Sequence, residues 1–380
     1  MTALPQGSSL PSDPEAGSSR RRGRERNTKL RNARETIIVA MLIGCGVFTV
    51  GTMVMILYIL LSNTVDFFGR TITDVAGNEV EVSVFDFLTG LEWNPLLGAE
   101  KHFGVWPLIA GTLQVATVAM CFALPLGLMV AIWLSEYASP RVRAVIKPVL
   151  EVIAGVPTVV FGFFALTFIT PSVRSIADVV QPLLNWIVDL GIRIPIPMTN
   201  YVFVAWWSDP QYGAWNPLRI DIYNVLAAGL AVGIMCLPIV TSLSEDALRA
   251  VPRALREGSY GLGSSRFETA TKVVVPAALS GIVAAFLLAI ARAVGETMIV
   301  ALAAGQLPAN LYENPSAVLD VTGQTQTMTG YIVQIFKGDV SHASVEYYSV
   351  YAVAFMLFVI TLLLTLVGGV IRKRFRQEYD

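Results

Sequence analysis

The chain has 380 residues, of which 54% are hydrophobic and only 14% are charged. These values are typical of membrane proteins and exclude an ordinary soluble enzyme or binding domain. The formal net charge of -1 says little by itself, because in a membrane protein the position of the charges matters more than their sum.

Residues 1–35 form a basic N-terminal tail that is rich in Pro, Ser and Gly and contains the run RRRGRER. Such a composition cannot bury a core, so the tail is predicted to be disordered. We expect its arginines to set topology and to contact anionic membrane lipid rather than nucleic acid. The apolar run that follows is too long for a signal-peptide core and is not followed by a cleavage site, so it is predicted to be a retained first transmembrane helix at residues 36–62.

Six apolar stretches are long enough to cross a bilayer, which takes about 20 residues. They cover residues 36–64, 103–135, 152–173, 222–244, 273–304 and 347–371. A loop at residues 63–104 separates the first stretch from a core of five helices at residues 105–371. The sequence therefore predicts an all-α membrane protein with six transmembrane helices.

The basic residues are distributed unevenly along this pattern. Most of the 27 Lys and Arg residues lie in the two tails and in the loops after the second and fourth stretches. Basic loops stay on the cytoplasmic side, so both termini, including the tail 372–380, are predicted to be cytoplasmic. The opposite loops hold more acidic than basic residues and should repel anions. The longest of these, residues 171–221, contains the runs VVQPLLNWIV and YVFVAWW, for which an interfacial or a packing role is expected.

Two features of the third and fourth stretches bear on a transport path. Gly155 and Pro157 interrupt the third stretch, because proline cannot bond the carbonyl four residues earlier. A broken helix is tolerated at membrane depth where it faces protein or water, which makes Pro157 a candidate path residue. Glu151, at the cytoplasmic start, either snorkels to the interface or forms a gate or a salt bridge. GLAVG at 229–233 permits close approach of another helix.

Arg292 and Glu296 lie inside the fifth stretch, where a charge costs at least about 2.5 kcal/mol. Arg292 lies about 22 Å along a helix from Ala277, near the bilayer middle. Glu296 is predicted to lie one turn further on the same face. The two residues form a structural ion pair, a tie to another subunit, or part of a path for an oxyanion. In the last case the arginine fork donates two hydrogen bonds, while Glu296 holds the guanidinium and keeps anion binding weak.

The loop after the fourth stretch, residues 245–276, reads EDALRAVPRALREGSYGLGSSRFETATKVVVP. Its pattern predicts a helix, a glycine hinge, and a second helix that begins with a capping box of Ser265 and Glu268. Pro276 suits the first turn of the next span. Four apolar side chains are expected to be exposed: Leu255, Tyr260, Leu262 and Phe267. They form an apolar ridge that either docks into a groove on another subunit or lies on the bilayer.

The spacing of Glu257, Gly263 and Pro276 resembles the EAA-x3-G-x9-I-x-L-P loop of ABC importer permeases. The departures from that pattern are Gly258 and Ser259 for the two alanines, and Val273 and Val275 for Ile and Leu. Runs at 135–166, 245–263 and 291–305 are similar to those of the phosphate-specific importer permeases, and GETMIVALAAG is more similar to the PstC type than to the PstA type. The resemblance covers roughly residues 105–371.

The resemblance implies a type I ABC importer permease fold in the bacterial cytoplasmic (inner) membrane. It implies three kinds of protein partner: a PstA-like second permease, two copies of an ATPase subunit, and a periplasmic or lipid-anchored phosphate-binding protein. In this family the loop forms coupling helices on the ATPase. The residues carried over to this role are Leu255, Glu257, Tyr260, Gly263, Phe267 and Pro276. The path residues proposed beside them are Arg292, Glu296, Glu151 and Pro157.

Other chemistry has little support in the sequence. The chain lacks the G-x-x-x-x-G-K-[ST] pattern for ATP and the G-x-S-x-G pattern of hydrolases, so it is predicted to be a transport subunit and not an enzyme. His102, His342 and the three cysteines lack metal-ligand spacing, so neither a metal nor a cofactor is expected. The alternatives left open are a permease for another oxyanion, an ion-coupled secondary carrier, and a membrane scaffold.

Overall fold

The computed structural model describes residues 14–73, 79–96, 101–189, 220–338, 340–342 and 344–374. The chain divides into two compact units, Met1–Ile59 and Leu60–Asp380. The described part of the first unit is helical throughout, and the last turns of that helix belong to the second unit.

The first helix, α1, covers Pro14–Phe68, and its part Glu35–Phe68 is apolar enough to cross a membrane. The structure differs here from the disorder expected for residues 1–35, because the helix already begins at Pro14; residues 1–13 lie outside the described residues. Arg, Glu and Lys are good helix formers. Extending the helix of a span also avoids the cost of nucleating a new one, which composition alone does not reveal.

The predicted loop 63–104 contains a small ordered assembly. Its elements are β1 (Thr71–Thr73), β2 (Glu79–Glu81), α2 (Val84–Thr89), β3 (Trp93–Asn94) and β4 (His102–Phe103). The strands form two antiparallel hairpins. An aromatic cluster joins this assembly to the end of α1 and to residue 331: Phe67, Phe87, Trp93, Phe103 and Tyr331. Edge-to-face ring contacts such as Trp93 with Tyr331, whose centroids are 4.9 Å apart, add to the stabilisation from burial.

Helices α3 (Trp106–Ile132) and α7 (Val225–Ala250) form the centre of the second unit. A π-helical turn, Trp133–Tyr137, continues α3. Small residues let the two helices approach closely, since a Cβ added at Gly233 would lie 3.0 Å from the Ala119 carbonyl oxygen. The close approach predicted from GLAVG is confirmed.

The third predicted span is divided differently from the expectation. Helix α4 (Pro140–Ala154) ends at Gly155, α5 (Thr158–Phe164) begins after Pro157, and a π-helical turn leads into α6 (Thr170–Asp189). The break at Gly155–Pro157 is confirmed, but the candidate span is Thr158–Pro182, so the break precedes the span. VVQPLLNWIV continues α6 instead of lying in a loop, and YVFVAWW lies outside the described residues.

The remaining helices run from the predicted loop to the C-terminal segment. They are α8 (Arg253–Gly261), α9 (Arg266–Thr269), α10 (Val275–Ala277), α11 (Leu279–Val294), α12 (Met298–Ala303), α13 (Met328–Lys337) and α14 (Val345–Arg374). A bend of 72° separates Arg266–Ala277 from α11. Within the described residues five helices are long and apolar enough to cross a membrane, or six if that bent pair is one span. This confirms the predicted all-α membrane architecture.

Candidate functional site

The loop between α7 and α11 has the predicted helix, hinge and second helix. Gly263 sits between α8 and α9 with φ +86°, a conformation that glycine adopts without steric cost. Ser265 and Glu268 form the predicted capping box: the Glu268 N–H donates to Ser265 Oγ over 3.3 Å, and the Ser265 N–H donates to Glu268 Oε2 over 3.1 Å. The local sequence therefore determines where α8 ends and where α9 begins.

The apolar ridge predicted on this loop is exposed. Leu262 is 90% exposed and Phe267 is 68% exposed, and Leu255 and Tyr260 are also accessible. Glu257 lies on the exposed surface of α8. An exposed apolar ridge of this kind is suited to contact with another subunit or with the bilayer. Whether it binds another subunit stays a prediction.

Two boundaries of the loop differ from the expectation. Helix α7 continues to Ala250, so residues 245–250 belong to the fourth span helix and not to an exposed loop. It ends before Pro252, since a proline disfavours the helical conformation of the residue preceding it. At the other end Pro276 lies in the short α10, and α11 begins at Leu279, after the bend.

Glu245 is fully buried at the end of α7 and is surrounded by cations. Lys147 Nζ lies 3.2 Å from Oε2, Arg143 Nε lies 3.4 Å from Oε1, and Arg249 Nη1 lies 3.6 Å from Oε1. The contacts at Oε1 are ion-pair distances without hydrogen-bond geometry. Because a buried carboxylate without a cation is costly, the cluster fixes α4 against α7.

Lys147 also donates a hydrogen bond to Asp246. That bond, together with Glu245, raises the pKa of the Lys147 ammonium above its usual value, although burial works in the opposite direction. The sequence interpretation missed this cluster. The available signal was the spacing of Glu245 and Arg249, four residues apart on one helix, but the partners on α4 are distant in sequence.

A second polar contact joins α8 to the end of α3. Arg256 Nη2 lies 3.0 Å from Glu136 Oε1, and the same guanidinium donates to the carbonyls of Leu248 and Val251 over 2.7 and 2.6 Å. Both side chains are largely buried. The sequence interpretation missed this contact as well.

Arg292 and Glu296 lie close together in sequence but form no ion pair in the described structure. Helix α11 ends at Val294 and a turn at Gly295 follows, so Glu296 does not continue the same helical face.

The Arg292 side chain is exposed, with Nη2 3.9 Å from the Met235 sulfur. Glu296 is buried and accepts hydrogen bonds from the N–H groups of Met298 and Ile299, at 3.2 and 3.4 Å. The described structure therefore shows neither the ion pair, which was one of the alternatives, nor the shared helical face, because the turn at Gly295 ends the helix.

The other two predicted path residues lie at the break before the third span. Glu151 is exposed in the last turn of α4, and Pro157 is the residue before α5.

Nearby, α5, α12 and α13 line an open groove of about 400 Å³. Its lining includes Val159, Met298, Gln306, Gln334 and Lys337. The structure does not bring Arg292, Glu296, Glu151 and Pro157 into one contact cluster.

Comparison with known proteins identifies relatives over most of the chain. Residues 123–377 match the family described as "Binding-protein-dependent transport system inner membrane component". The chain is 31% identical to "Probable ABC transporter permease protein YqgH" of Bacillus subtilis, over 75% of this chain and 76% of that protein. It is 32% identical to "Phosphate transport system permease protein PstC" of Mesorhizobium japonicum, over 62% of this chain and 66% of that protein.

A third relative has a similar identity and coverage. The chain is 31% identical to "Phosphate transport system permease protein PstC 1" of Mycobacterium tuberculosis, over 63% of this chain and 70% of that protein. The matched part contains the loop with α8 and α9 and the helix that carries Arg292. The resemblance seen in the sequence is therefore confirmed.

Proposed function

The chain belongs to the family of binding-protein-dependent transport system inner membrane components, and from that premise we propose that it is the permease subunit of an importer for inorganic phosphate. Such a subunit is a membrane component, and ATP hydrolysis belongs to a separate subunit. Phosphate as the substrate is supported by the relatives named as phosphate transport permeases. The single structural observation that carries the proposal is the exposed Arg292 on a membrane helix.

The proposed assembly follows the general composition of such importers, which combine permease, ATPase and substrate-binding subunits. We propose a PstA-like second permease, two copies of the ATPase subunit and a phosphate-binding protein that is periplasmic or lipid-anchored. The chain lies in the bacterial inner membrane as a multi-pass protein. The uneven distribution of Lys and Arg supports cytoplasmic positions for both termini.

The apolar ridge on α8 and α9 is the surface proposed to dock onto the ATPase. Its exposed Leu262 and Phe267 are suited to an apolar groove, and the exposed Glu257 can pair with a cation at its rim. Gly263 and the capping box hold the two helices at a defined angle. A docked ridge of this kind transfers ATP-driven movement to the helices that follow it.

Arg292 is proposed to line the phosphate path. A charge in a membrane-spanning segment must face protein or water rather than lipid. Arg292 is exposed on this chain, so the surface that covers it belongs to the second permease or to a wet passage between the two permeases. Its planar guanidinium offers two parallel hydrogen bonds to phosphate oxygens.

The other candidate path residues take roles that fit their contacts. Glu296 shapes the path wall by holding the start of α12, because its carboxylate caps Met298 and Ile299. Pro157 sets the break that lets α5 diverge from α4. Glu151 is exposed beside that break and is proposed to pair with the second permease at the cytoplasmic mouth.

Uptake of radiolabelled phosphate by proteoliposomes that contain the complete complex tests this function. We expect uptake to require internal ATP and the binding protein, and to be unaffected by a proton uncoupler. Excess unlabelled phosphate should abolish the signal, whereas equal concentrations of sulfate or molybdate should leave it intact. Competition by sulfate as strong as that by phosphate would contradict the substrate, and uptake driven by a proton gradient without ATP would contradict the mechanism.

A further inference from the structure

Arg256 connects three helices through one side chain. It projects from α8, and its guanidinium donates to the carbonyls of Leu248 and Val251 at the end of α7. It also makes a salt bridge of 3.0 Å with Glu136 in the π-helical turn that continues α3. The Arg256 side chain is only 16% exposed and that of Glu136 only 7%, so solvent screens these contacts weakly.

These contacts bond carbonyls at the end of α7 and a largely buried carboxylate. The last carbonyls of a helix have no intrahelical donor, and a basic side chain at the C-terminus both bonds them and complements the helix dipole. The Glu136 carboxylate also accepts from the Ser135 hydroxyl over 3.1 Å. Arginine alone among the basic side chains has enough donors in a fixed plane to bond two carbonyls and a carboxylate together.

The network extends from α3 to α4. Arg143 of α4 donates through Nη2 to the carbonyls of Leu134 and Ser135, over 2.6 and 2.9 Å, in the same π-helical turn. Arg143 Nε lies 3.4 Å from the buried Glu245 of α7. The exposed helix α8 is thus tied by directed polar contacts to α3, α4 and α7, and these contacts form a contiguous chain.

We propose that Arg256 is a positioning residue for transport: its side chain transmits a displacement of α8 to the ends of α3 and α7. This inference rests on the proposed function, in which α8 is displaced by the ATPase. Coupling between distant sites can travel through such contiguous networks of directed contacts. Helix α7 also carries Met235, which contacts Arg292 at 3.9 Å. A displacement of α7 therefore reaches the residue proposed to line the path.

The test uses the complete complex in proteoliposomes with Arg256→Gln, Glu136→Gln and the double variant. Two quantities are measured: phosphate transported per ATP hydrolysed, and stimulation of ATP hydrolysis by the binding protein. Arg253→Gln serves as the matched control, because it removes one positive charge from the exposed face of the same helix. A purely structural residue would change the amount of assembled complex but not either ratio.

We expect Arg256→Gln to assemble and to hydrolyse ATP, with both ratios lowered by at least about fivefold, the lower end of typical coupling between sites. Glu136→Gln leaves the two carbonyl bonds in place and should lower both ratios less. The double variant should be no worse than Arg256→Gln, because the two residues act through one contact. Arg253→Gln should keep the wild-type ratios.

Unchanged ratios in assembled Arg256→Gln complex, or an equal loss in Arg253→Gln, would overturn the inference. Failure of both Arg256→Gln and Glu136→Gln to assemble would assign the contact a structural role only and would overturn it equally. If the wild-type complex transported no phosphate, the proposed function would fail instead. The inference would then be decided by binding-protein stimulation of ATP hydrolysis, which requires no knowledge of the substrate.

Discussion

The hydroxyl of Ser259 lies 2.9 Å from the hydroxyl of Thr269, and both side chains are buried. This contact joins α8 to α9 across the turn at Gly263, so the two helices keep one relative orientation. The exposed ridge of Leu262 and Phe267 is consequently preformed, so the ridge loses little conformational entropy when a partner docks on it.

Gly263→Pro should abolish co-purification of the ATPase subunit while leaving the chain in the membrane. Proline fixes φ near -65°, whereas Gly263 has φ +86°, so the substitution must break the turn. Gly258→Ala is the control, because an added Cβ there meets nothing within 4 Å and alanine favours a helix by roughly 1 kcal/mol. Normal co-purification of Gly263→Pro would remove the docking hypothesis.

Glu245→Gln should lower the Tm of the purified complex by several degrees. The change leaves Arg143 and Lys147 beside a neutral group, and breaking a buried ion pair costs about 3–5 kcal/mol. Asp246→Asn is the comparison, since the Asp246 side chain is 55% exposed and exposed pairs contribute about 0–1 kcal/mol. Equal falls in Tm for the two variants would contradict the importance assigned to burial.

The Lys147 contacts predict a pH dependence at the alkaline end only. Because the folded-state pKa is raised above 10.5, the stabilisation is complete below that pH and is lost as the pH rises through the folded-state pKa. The Tm of the wild-type complex should therefore fall more steeply above pH 10.5 than the Tm of the Lys147→Gln complex. Parallel profiles for the two proteins across that range would show that the ammonium contributes nothing.

Glu296→Gln should retain most phosphate uptake, whereas Glu296→Leu should lose it. A glutamine oxygen still accepts from the N–H groups of Met298 and Ile299, while leucine leaves both unbonded in a buried site, at a cost of about 1–3 kcal/mol for each unsatisfied group. Uptake is measured at matched membrane levels. A loss in Glu296→Gln as large as in Glu296→Leu would show that the negative charge itself is needed, as a pairing with Arg292 would require.

Features of the fold that depend on neighbours in sequence were predictable. The capping box of Ser265 and Glu268 needs only its own four residues, and the turn at Gly263 needs only glycine's freedom at positive φ. The break around Pro157 follows in the same way from the missing N–H of proline. The position of this break relative to the span could not be predicted, because α6 continues the helix into residues whose sequence predicts a loop.

The candidate site was predicted less completely than the fold. Glu245 was placed in an exposed loop, because the end of α7 depends on Pro252 and on partners from α4 that lie about 100 residues earlier in the chain. The pairing of Arg292 with Glu296 assumed a continuous helix, which the turn at Gly295 interrupts. Contacts between residues distant in sequence, such as Arg256 with Glu136, leave no local pattern to detect.

The measurement that tests the central claim most directly is ATP-dependent phosphate uptake by the complete complex carrying Arg292→Lys, with complex assembly and ATP hydrolysis checked on the same preparation. Lysine keeps the positive charge but lacks the planar fork. We predict that uptake falls at least about tenfold while assembly is unchanged, which corresponds to about 1.4 kcal/mol. Wild-type uptake in an intact Arg292→Lys complex would contradict a phosphate path along Arg292.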